Sequence, residues 1–254
     1  MLEGMAQLSD VGSCVNYVRL RGSHRFSTGD RSAPLPLRVR SLNGRRVYCR
    51  PATSDFSVFN DTFAGRYHLP PADLRVRTII DLGSNIGLTL AHYASLYPEA
   101  RILGVEMDQG NADMCLANIA PYAPRCEVLV SAVWKEDGEV AYGGETNWGF
   151  RVIRESCDGP RRARAFSIAS LIDHFGVERV DFMKMDIEGA EMDILSGARE
   201  WIDRVGCLKV EVHPPYALTA CVQDLERAGM RCEVLPNHFG CVLARHSEDR
   251  SDPA

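Results

Sequence analysis

From Val76 onward, short apolar runs alternate with stretches in which apolar residues recur at helical spacing. The runs predict strands at 77–82, 102–106, 127–131, 180–186 and 207–213. The helical spacing predicts helices at 87–97, 109–119, 167–175, 189–204 and 217–229. Two closing strands follow at 231–236 and 239–245, and their connection through Pro236-Asn237-His238 predicts an antiparallel pair at one sheet edge. Strands that alternate with helices imply a parallel sheet covered on both faces. The expected fold class is therefore α/β, a Rossmann-like, mostly parallel seven-stranded sheet.

The first seventy residues follow another pattern. Leu8, Val11, Val15 and Val18 recur at helical spacing and predict an amphipathic helix with that stripe as its apolar face. Residues 22–36, rich in Ser, Gly, Pro and charge, read as a loop. Runs at 37–42 and 46–50 flank Asn43-Gly44, a strong hairpin signal. Phe56, Val58, Phe59 and Phe63 predict a further helix beginning near Ser54-Asp55. The expected organisation is an N-terminal helix, hairpin and cap at 1–73, a ligand-binding α/β domain at 74–246, and a disordered polar tail at 247–254.

Chemistry concentrates where strands end. Ile79-Ile80-Asp81-Leu82-Gly83-Ser84-Asn85-Ile86-Gly87-Leu88-Thr89 reads as a buried strand, a glycine turn and a helix start. Such a turn brings backbone N–H groups and a helix N-terminus close to a ligand. Its G-x-x-x-G spacing departs from the G-x-G-x-x-G of dinucleotide sites. Asp81, two residues before the first glycine, would repel a pyrophosphate but suits a cationic ligand such as S-adenosylmethionine. Glu106 closes the second strand, where an acid can accept both hydrogens of a ribose diol, in a nicotinamide or an adenosylmethionine ligand alike. Met107 is placed to pack on an adenine face, and Ser131-Ala132 to lie beside that ring.

The fourth and fifth strands carry charges that a buried parallel strand normally excludes. In residues 180–191, Lys184 and Asp186 alternate with Met183, Met185 and Ile187, and Glu188 and Glu191 follow at the carboxyl end. Carboxylates so close shift one another's pKa, a common active-site arrangement; a Lys184–acid ion pair is the structural alternative. In the fifth strand, Lys209, Glu211 and His213 share one face, and His213 at its end is a candidate general base.

Composition narrows this further. The 254 residues are 45% apolar and 25% charged, with a formal net charge of −5, which offers no electrostatic footprint for nucleic acid or an anionic membrane. The basic cluster Arg161-Arg162-Ala163-Arg164 reads as a solvated loop. Nine cysteines without paired or zinc-type spacing point to reduced thiols in a cytoplasmic protein. No apolar run approaches a membrane span, and the N-terminus lacks the apolar core of a secretory signal.

Taken together, Asp81-Leu82-Gly83-Ser84-Asn85-Ile86-Gly87, Glu106, Lys184-Met185-Asp186-Ile187-Glu188-Gly189-Ala190-Glu191 and Glu211-Val212-His213 resemble the FkbM family of S-adenosylmethionine-dependent methyltransferases. Upstream, Arg50-Pro51-Ala52-Thr53-Ser54-Asp55 is similar too, so the resemblance spans roughly residues 45–245. It implies a class I methyltransferase fold and, usually, O-methylation of a hydroxyl on a natural product or sugar. It implies cofactor contacts at Asp81, Gly83, Ser84, Asn85, Gly87, Glu106, Ser131 and Ala132, with Asp186, Glu188 and His213 facing the acceptor. His213 is the first candidate base and Asp186 the second, while Lys184 would keep the carboxylates ionised or stabilise an oxyanion. Glu211 is a further acceptor-side candidate. A magnesium-type divalent cation bridging Asp186 and nearby acids is compatible with the sequence, which specifies no metal ligand set.

Residues 142–164, with Asn147 and Trp148 as acceptor contacts, match that family only loosely and are expected to shape a small-molecule pocket. The N-terminal segment matches no motif and is expected to serve as a lid or a contact between copies of the chain. N- or C-methylation of a natural-product scaffold remains open, as do a NAD-dependent oxidoreductase and a non-catalytic binding protein on the same topology.

Overall fold

The computed structural model describes residues 2–25, 33–143, 151–152, 161–236 and 240–246. The chain opens with helices α1 (Leu2–Ala6) and α2 (Val11–Arg25), the hairpin strands β1 (Leu35–Arg38) and β2 (Arg46–Cys49), and helix α3 (Asp55–Asn60). A wide turn of π-helix over Asp61–Gly65 extends α3. The turn between the hairpin strands uses Asn43 (φ 55°) and Gly44 (φ 73°), residue types that tolerate the left-handed region. Strand β1 stops earlier than its apolar pattern predicts, because Arg40–Leu42 closes into a 3₁₀ turn.

The alternating part follows as β3 (Thr78–Leu82), α4 (Leu88–Leu96), β4 (Arg101–Glu106), α5 (Gln109–Ile119) and β5 (Cys126–Val130). Four strands of a second sheet come next: β6 (Ala132–Val133), β7 (Gly138–Gly143), β8 (Arg151–Val152) and β9 (Arg161–Phe166). The chain then returns to the main sheet with α6 (Ile168–Phe175), β10 (Val180–Met185), α7 (Glu191–Leu195), β11 (Val205–Glu211), α8 (Leu218–Arg227), β12 (Met230–Val234) and β13 (Cys241–His246).

The main sheet has seven strands in the order β12-β13-β11-β10-β3-β4-β5. The β11-β10-β3-β4-β5 block is parallel, and β13 runs antiparallel to both β11 and β12. From β3 the chain winds outward to β4 and β5, then crosses back to β10 and β11. The reversal between β3 and β10 leaves a crevice at the carboxyl ends of the strands, where ligands of open α/β sheets bind.

The central strands bury both faces, so successive residues serve different cores. Ile79 and Phe182 pack with Phe59, Phe63, Leu90 and Tyr93 on the face covered by the N-terminal segment, α4 and α5. Ile80 and Met183 pack with Leu171, Ile172, Ile194 and Leu225 on the face covered by α6, α7 and α8. This is why the strands read as continuous apolar runs. Among the described residues no helix is long and apolar enough to cross a membrane.

Three expectations are corrected. Helix α2 forms, but it turns Ser13, Tyr17 and Leu20 inward and leaves Val11, Val15 and Val18 exposed at 80%, 55% and 54%. Tyr17 decides the orientation: its ring packs on Phe56 and Phe59, and its hydroxyl donates to Asn60 Oδ1 at 2.6 Å. One buried aromatic with a satisfied hydroxyl outweighs three valines. The helix predicted at 189–204 stops at Leu195, and Gly197 separates it from 3₁₀ turns at Ala198–Glu200 and Ile202–Arg204. The Arg161-Arg162-Ala163-Arg164 cluster is not a loop but part of β9, with Ala165 buried against the body while Arg162 pairs with Glu139 at 2.5 Å on the neighbouring strand. The tail expected at 247–254 lies outside the described residues.

Beneath the N-terminal segment, His92 Nδ1 and His68 Nε2 face each other at 3.1 Å, both rings fully buried. Burial holds His92 down to about 4 from its ordinary 6.5, and pushes His68 the same way. A depressed histidine pKa stabilises the fold above the unfolded value, and that stability is lost as pH falls towards the folded one. Relative to wild type, His92→Gln is therefore expected to lose less thermal stability between pH 6.5 and about 4. Identical pH slopes in calorimetric melts of the two proteins would contradict this.

Candidate active site

A cavity of about 650 Å³ occupies the crevice at the strand ends, within the size range of small-molecule sites. Its floor is the turn after β3. Gly83 (φ 82°), Asn85 (φ 48°) and Gly87 (φ 77°) all take left-handed backbone, which folds the turn back over the strand. The glycines have different reasons. A Cβ on Gly83 would sit 1.8 Å from the Asp186 carbonyl oxygen, so this glycine lets β3 and the end of β10 close on each other. A Cβ on Gly87 would meet Cys115 Sγ at 2.6 Å, so that residue packs α4 on α5 and does not line the cavity.

Gly83, Ser84, Asn85, Glu106, Met107, Ser131 and Ala132 do line it, as their positions in the sequence imply. Glu106 ends β4 with its carboxylate between two backbone donors, Asn85 N–H on Oε2 and Asp108 N–H on Oε1, each at 2.8 Å. Burial pushes this carboxyl up to about 7 despite those bonds. Ser131 is 1% exposed and its Oγ has no hydrogen-bond partner among the described residues, so the cavity wall holds an unspent polar atom.

Asp81 is elsewhere. It is fully buried behind the turn, where Thr89 Oγ1 donates a short hydrogen bond to Oδ2 and Lys184 Nζ lies 3.5 Å from Oδ1. It therefore does not line the cavity, where the sequence placed a direct cofactor contact. Lys184 is also withdrawn, at 3% exposure, with Nζ 3.0 Å from Asp186 Oδ2. Burial opposes its charge, but Asp186, Tyr67 and Asp81 outweigh burial and hold the ammonium well above the ordinary lysine range. Lys184 is thus held between Asp81 and Asp186 and does not line the cavity.

At the opposite wall, the loop after β10 brings Asp186 and Glu188 under His213, which follows β11. Glu188 (φ 54°) and Gly189 (φ 102°) both take left-handed backbone to make this turn. His213 Nδ1 lies 2.8 Å from Oε1 of fully buried Glu191, which also accepts the Ile187 N–H at 3.2 Å. His213 Nε2 then points among Asp186, Glu188 and Glu211, standing 3.8 Å from an oxygen of each. Burial works against a charge on this ring, but the Glu191 bond and the surrounding carboxylates raise it to about 9. Burial also raises Glu188 to about 7, with Asp186 and Glu211 adding to it, and raises Glu211 to about 7, with Asp186 adding to it.

The N-terminal segment supplies the third wall through Ser54, Ser57, Val58, Asp61 and Tyr67. Arg50 anchors it, with Nε and Nη2 on the two oxygens of buried Asp55 at 3.0 and 2.9 Å and Nη2 also on Asn111 Oδ1 at 2.8 Å. Lys209 Nζ reaches from β11 to the Tyr67 and Leu69 carbonyl oxygens. Sequence reasoning missed Tyr67, which sits in a loop without periodicity. It also missed Thr89, although a hydroxyl between Leu88 and Leu90 is a readable anomaly. Asn147 and Trp148 lie outside the described residues. The second sheet approaches the site through Val152 and through Arg161, whose Nη1 lies 2.5 Å from Asp108 Oδ2 beside Glu106.

A family model described as the Methyltransferase FkbM domain matches residues 81–231. A stretch of 175 residues is 25% identical to the AMB antimetabolite synthetase AmbE of Pseudomonas aeruginosa, over 53% of this chain and 8% of that protein. The 2-O-methyltransferase NoeI of Sinorhizobium fredii is 24% identical over 52% of this chain and 62% of its own length. The methyltransferase sdnD of Sordaria araneosa is 27% identical over 67% of this chain and 82% of its own length. The chain thus spans less than two thirds of the first two relatives.

The floor makes a stability prediction. Gly176 also has left-handed backbone (φ 67°) but nothing within 4 Å of a Cβ, so Gly176→Ala is expected to cost about 1–2 kcal/mol. Gly83→Ala adds a clash with the Asp186 carbonyl and is expected to cost about 1–3 kcal/mol more. Chemical denaturation of the two variants checks the order, and equal losses would refute the close approach.

Proposed function

This chain belongs to the FkbM methyltransferase family, and from that premise we propose that it is an S-adenosylmethionine-dependent methyltransferase that acts on a hydroxyl oxygen of a small molecule. The single observation that carries the oxygen assignment is the His213 cluster. A hydroxyl is a weak nucleophile that must lose a proton, and here an imidazole nitrogen and three carboxylates converge on one cavity wall. The name of the relative from Sinorhizobium fredii, a 2-O-methyltransferase, supports the same reading. We infer a natural-product or sugar acceptor at the His213 wall of the cavity.

The residues fit the cofactor. Both Glu106 oxygens keep a lone pair free of their backbone donors, so they suit a ribose diol. Ser131 Oγ has no partner of its own and suits a ring nitrogen, with Met107 and Ala132 as apolar cover. The buried negative field of Asp81 and Asp186 favours a cation at the floor. When bound, S-adenosylmethionine supplies a methyl group activated by its sulfonium.

What remains for the protein is positioning and one proton. Glu191 fixes the His213 ring through Nδ1 and leaves Nε2 turned to the cavity. In this reading the neutral His213 ring, whose fraction grows as pH rises towards about 9, takes the hydroxyl proton at Nε2, with Asp186 as the alternative acceptor and Glu188 and Glu211 holding the resulting imidazolium. Lys184 holds Asp186 in place from behind, Nζ to Oδ2 at 3.0 Å. The eight described cysteines are all free thiols, which supports work in a reducing compartment such as the cytoplasm.

Titration calorimetry with S-adenosylhomocysteine and with NAD tests the cofactor assignment: the first binds and the second does not. Glu106→Ala is expected to weaken S-adenosylhomocysteine at least about tenfold, since it removes a charge-assisted acceptor. His213→Ala and Asp186→Ala should each retain S-adenosylhomocysteine affinity and lower turnover about 10²–10⁴-fold on a hydroxylated acceptor found by screening with methyl-labelled cofactor. Label recovered on nitrogen or carbon, or unchanged turnover in both variants, would overturn the oxygen reading.

A further inference from the structure

The His213 cluster has more negative charge than its own cations answer. Asp186, Glu188, Glu191 and Glu211 all place a carboxylate oxygen within 3.8 Å of the imidazole. Lys184, the nearest other cation, is shared between Asp186 and Asp81. The 3.8 Å separations around Nε2 are too long for hydrogen bonds, so three carboxylates surround that nitrogen without bonding it. Fully buried Glu191 holds the ring from behind, with Oε1 2.8 Å from His213 Nδ1, so Nε2 is the nitrogen left facing the three carboxylates.

We propose that Asp186, Glu211 and His213 hold a divalent cation of the magnesium–manganese class at the acceptor wall of the cavity, with Glu188 beside it. One ligand atom from each of the three lies within 4.8 Å of the others. An octahedral ion with bonds of about 2.1 Å places its ligands about 3.0 Å apart when adjacent and about 4.2 Å apart when opposite, so the 3.8 Å separations around Nε2 close by about 0.8 Å for an adjacent ligand and open by about 0.4 Å for an opposite one. Two carboxylates and one imidazole suit an oxygen-preferring ion that tolerates a single nitrogen, and Mn²⁺ meets that description best. Glu191 completes the arrangement as the carboxylate behind a metal-bound histidine: it accepts the Nδ1 proton, fixes the tautomer and turns the Nε2 lone pair to the ion.

The inference rests on the oxygen-methylation reading for its purpose and alters it in one respect. With the cation bound, His213 is a ligand and not the base. The acceptor hydroxyl enters the coordination sphere from the cavity, the ion lowers its pKa, and the proton leaves to Glu188. The oxygen–hydrogen bond breaks and a Glu188 oxygen–hydrogen bond forms, so no further reactant is needed.

The test is a titration of the metal-stripped protein with Mn²⁺, read by loss of the free-ion electron paramagnetic resonance signal. S-adenosylhomocysteine calorimetry is run on the same samples. Wild type should take up one Mn²⁺ per chain, displaceable by Mg²⁺. Glu211→Gln and Asp186→Asn should weaken it at least about tenfold while keeping S-adenosylhomocysteine affinity. Glu139→Gln, an exposed acid on the second sheet, should change neither. No Mn²⁺ uptake at millimolar concentration by a wild-type sample that binds S-adenosylhomocysteine would overturn the metal site and leave the methyltransferase standing. Uptake that survives both ligand variants would overturn it as well. Failure of hydroxyl methylation with Mn²⁺ bound would instead strike the oxygen reading alone.

Discussion

A single ammonium buried in the middle of the sheet organises this molecule. Lys184 on β10 lies directly opposite Asp81 on β3 in the strand register, and its Nζ reaches both Asp81 and Asp186. Each of these groups would be costly to bury alone, and removing one partner of such a buried set costs about 3–5 kcal/mol. The pairing therefore ties the strand that leads into the glycine turn to the strand that leads into the carboxylate cluster. It does so at the point where the sheet order reverses, which is where the crevice must open.

Everything on the two cavity walls hangs from that link. On one side Asp81 is held by Thr89 at the start of α4, so the turn 83–87 is braced from beneath and its backbone N–H of Asn85 is aimed at Glu106. On the other side Lys184 holds Asp186 next to His213, whose orientation comes from fully buried Glu191. The two walls have opposite needs. The Glu106 wall sets backbone donors around one carboxylate, whereas the His213 wall gathers several carboxylates around one imidazole. Proteins tolerate such crowding at sites whose function uses it.

Much of this was readable from particular residues. Gly83 and Gly87 at their spacing, an acid at Glu106 and the charged alternation Lys184/Asp186 and Lys209/Glu211/His213 all violate what a buried strand or plain turn would carry, and they fall where the cavity lies. What misled was reading a side chain's role from its position alone. Asp81 is next to the turn in sequence but behind it in space, and Gly87 serves Cys115 rather than a ligand. The valines of α2 form a clean stripe, yet Tyr17 on another face won the core. Strands β7 and β9 were invisible because the three arginines of β9 read as a solvated run, and a charge such as Arg162 finds its partner, Glu139 on β7, only after the strands pair.

The sequence by itself determined the α/β alternation, the family, the glycine turn and the presence of charged residues at two strand ends. These are local properties: periodicity, spacing and the cost of burying a charge are all legible along the chain. Only the tertiary structure decided which of those charges face the cavity and which serve one another. It withdrew Lys184 and Asp81 into the sheet, brought Tyr67 and Asp61 in from the N-terminal segment, and set three carboxylates around one imidazole nitrogen. The reason is that burial and pairing are relations between residues far apart in sequence. The Arg50–Asn111 bond and the Lys209 contact with Tyr67 span 61 and 142 positions, and no window along the chain contains both partners.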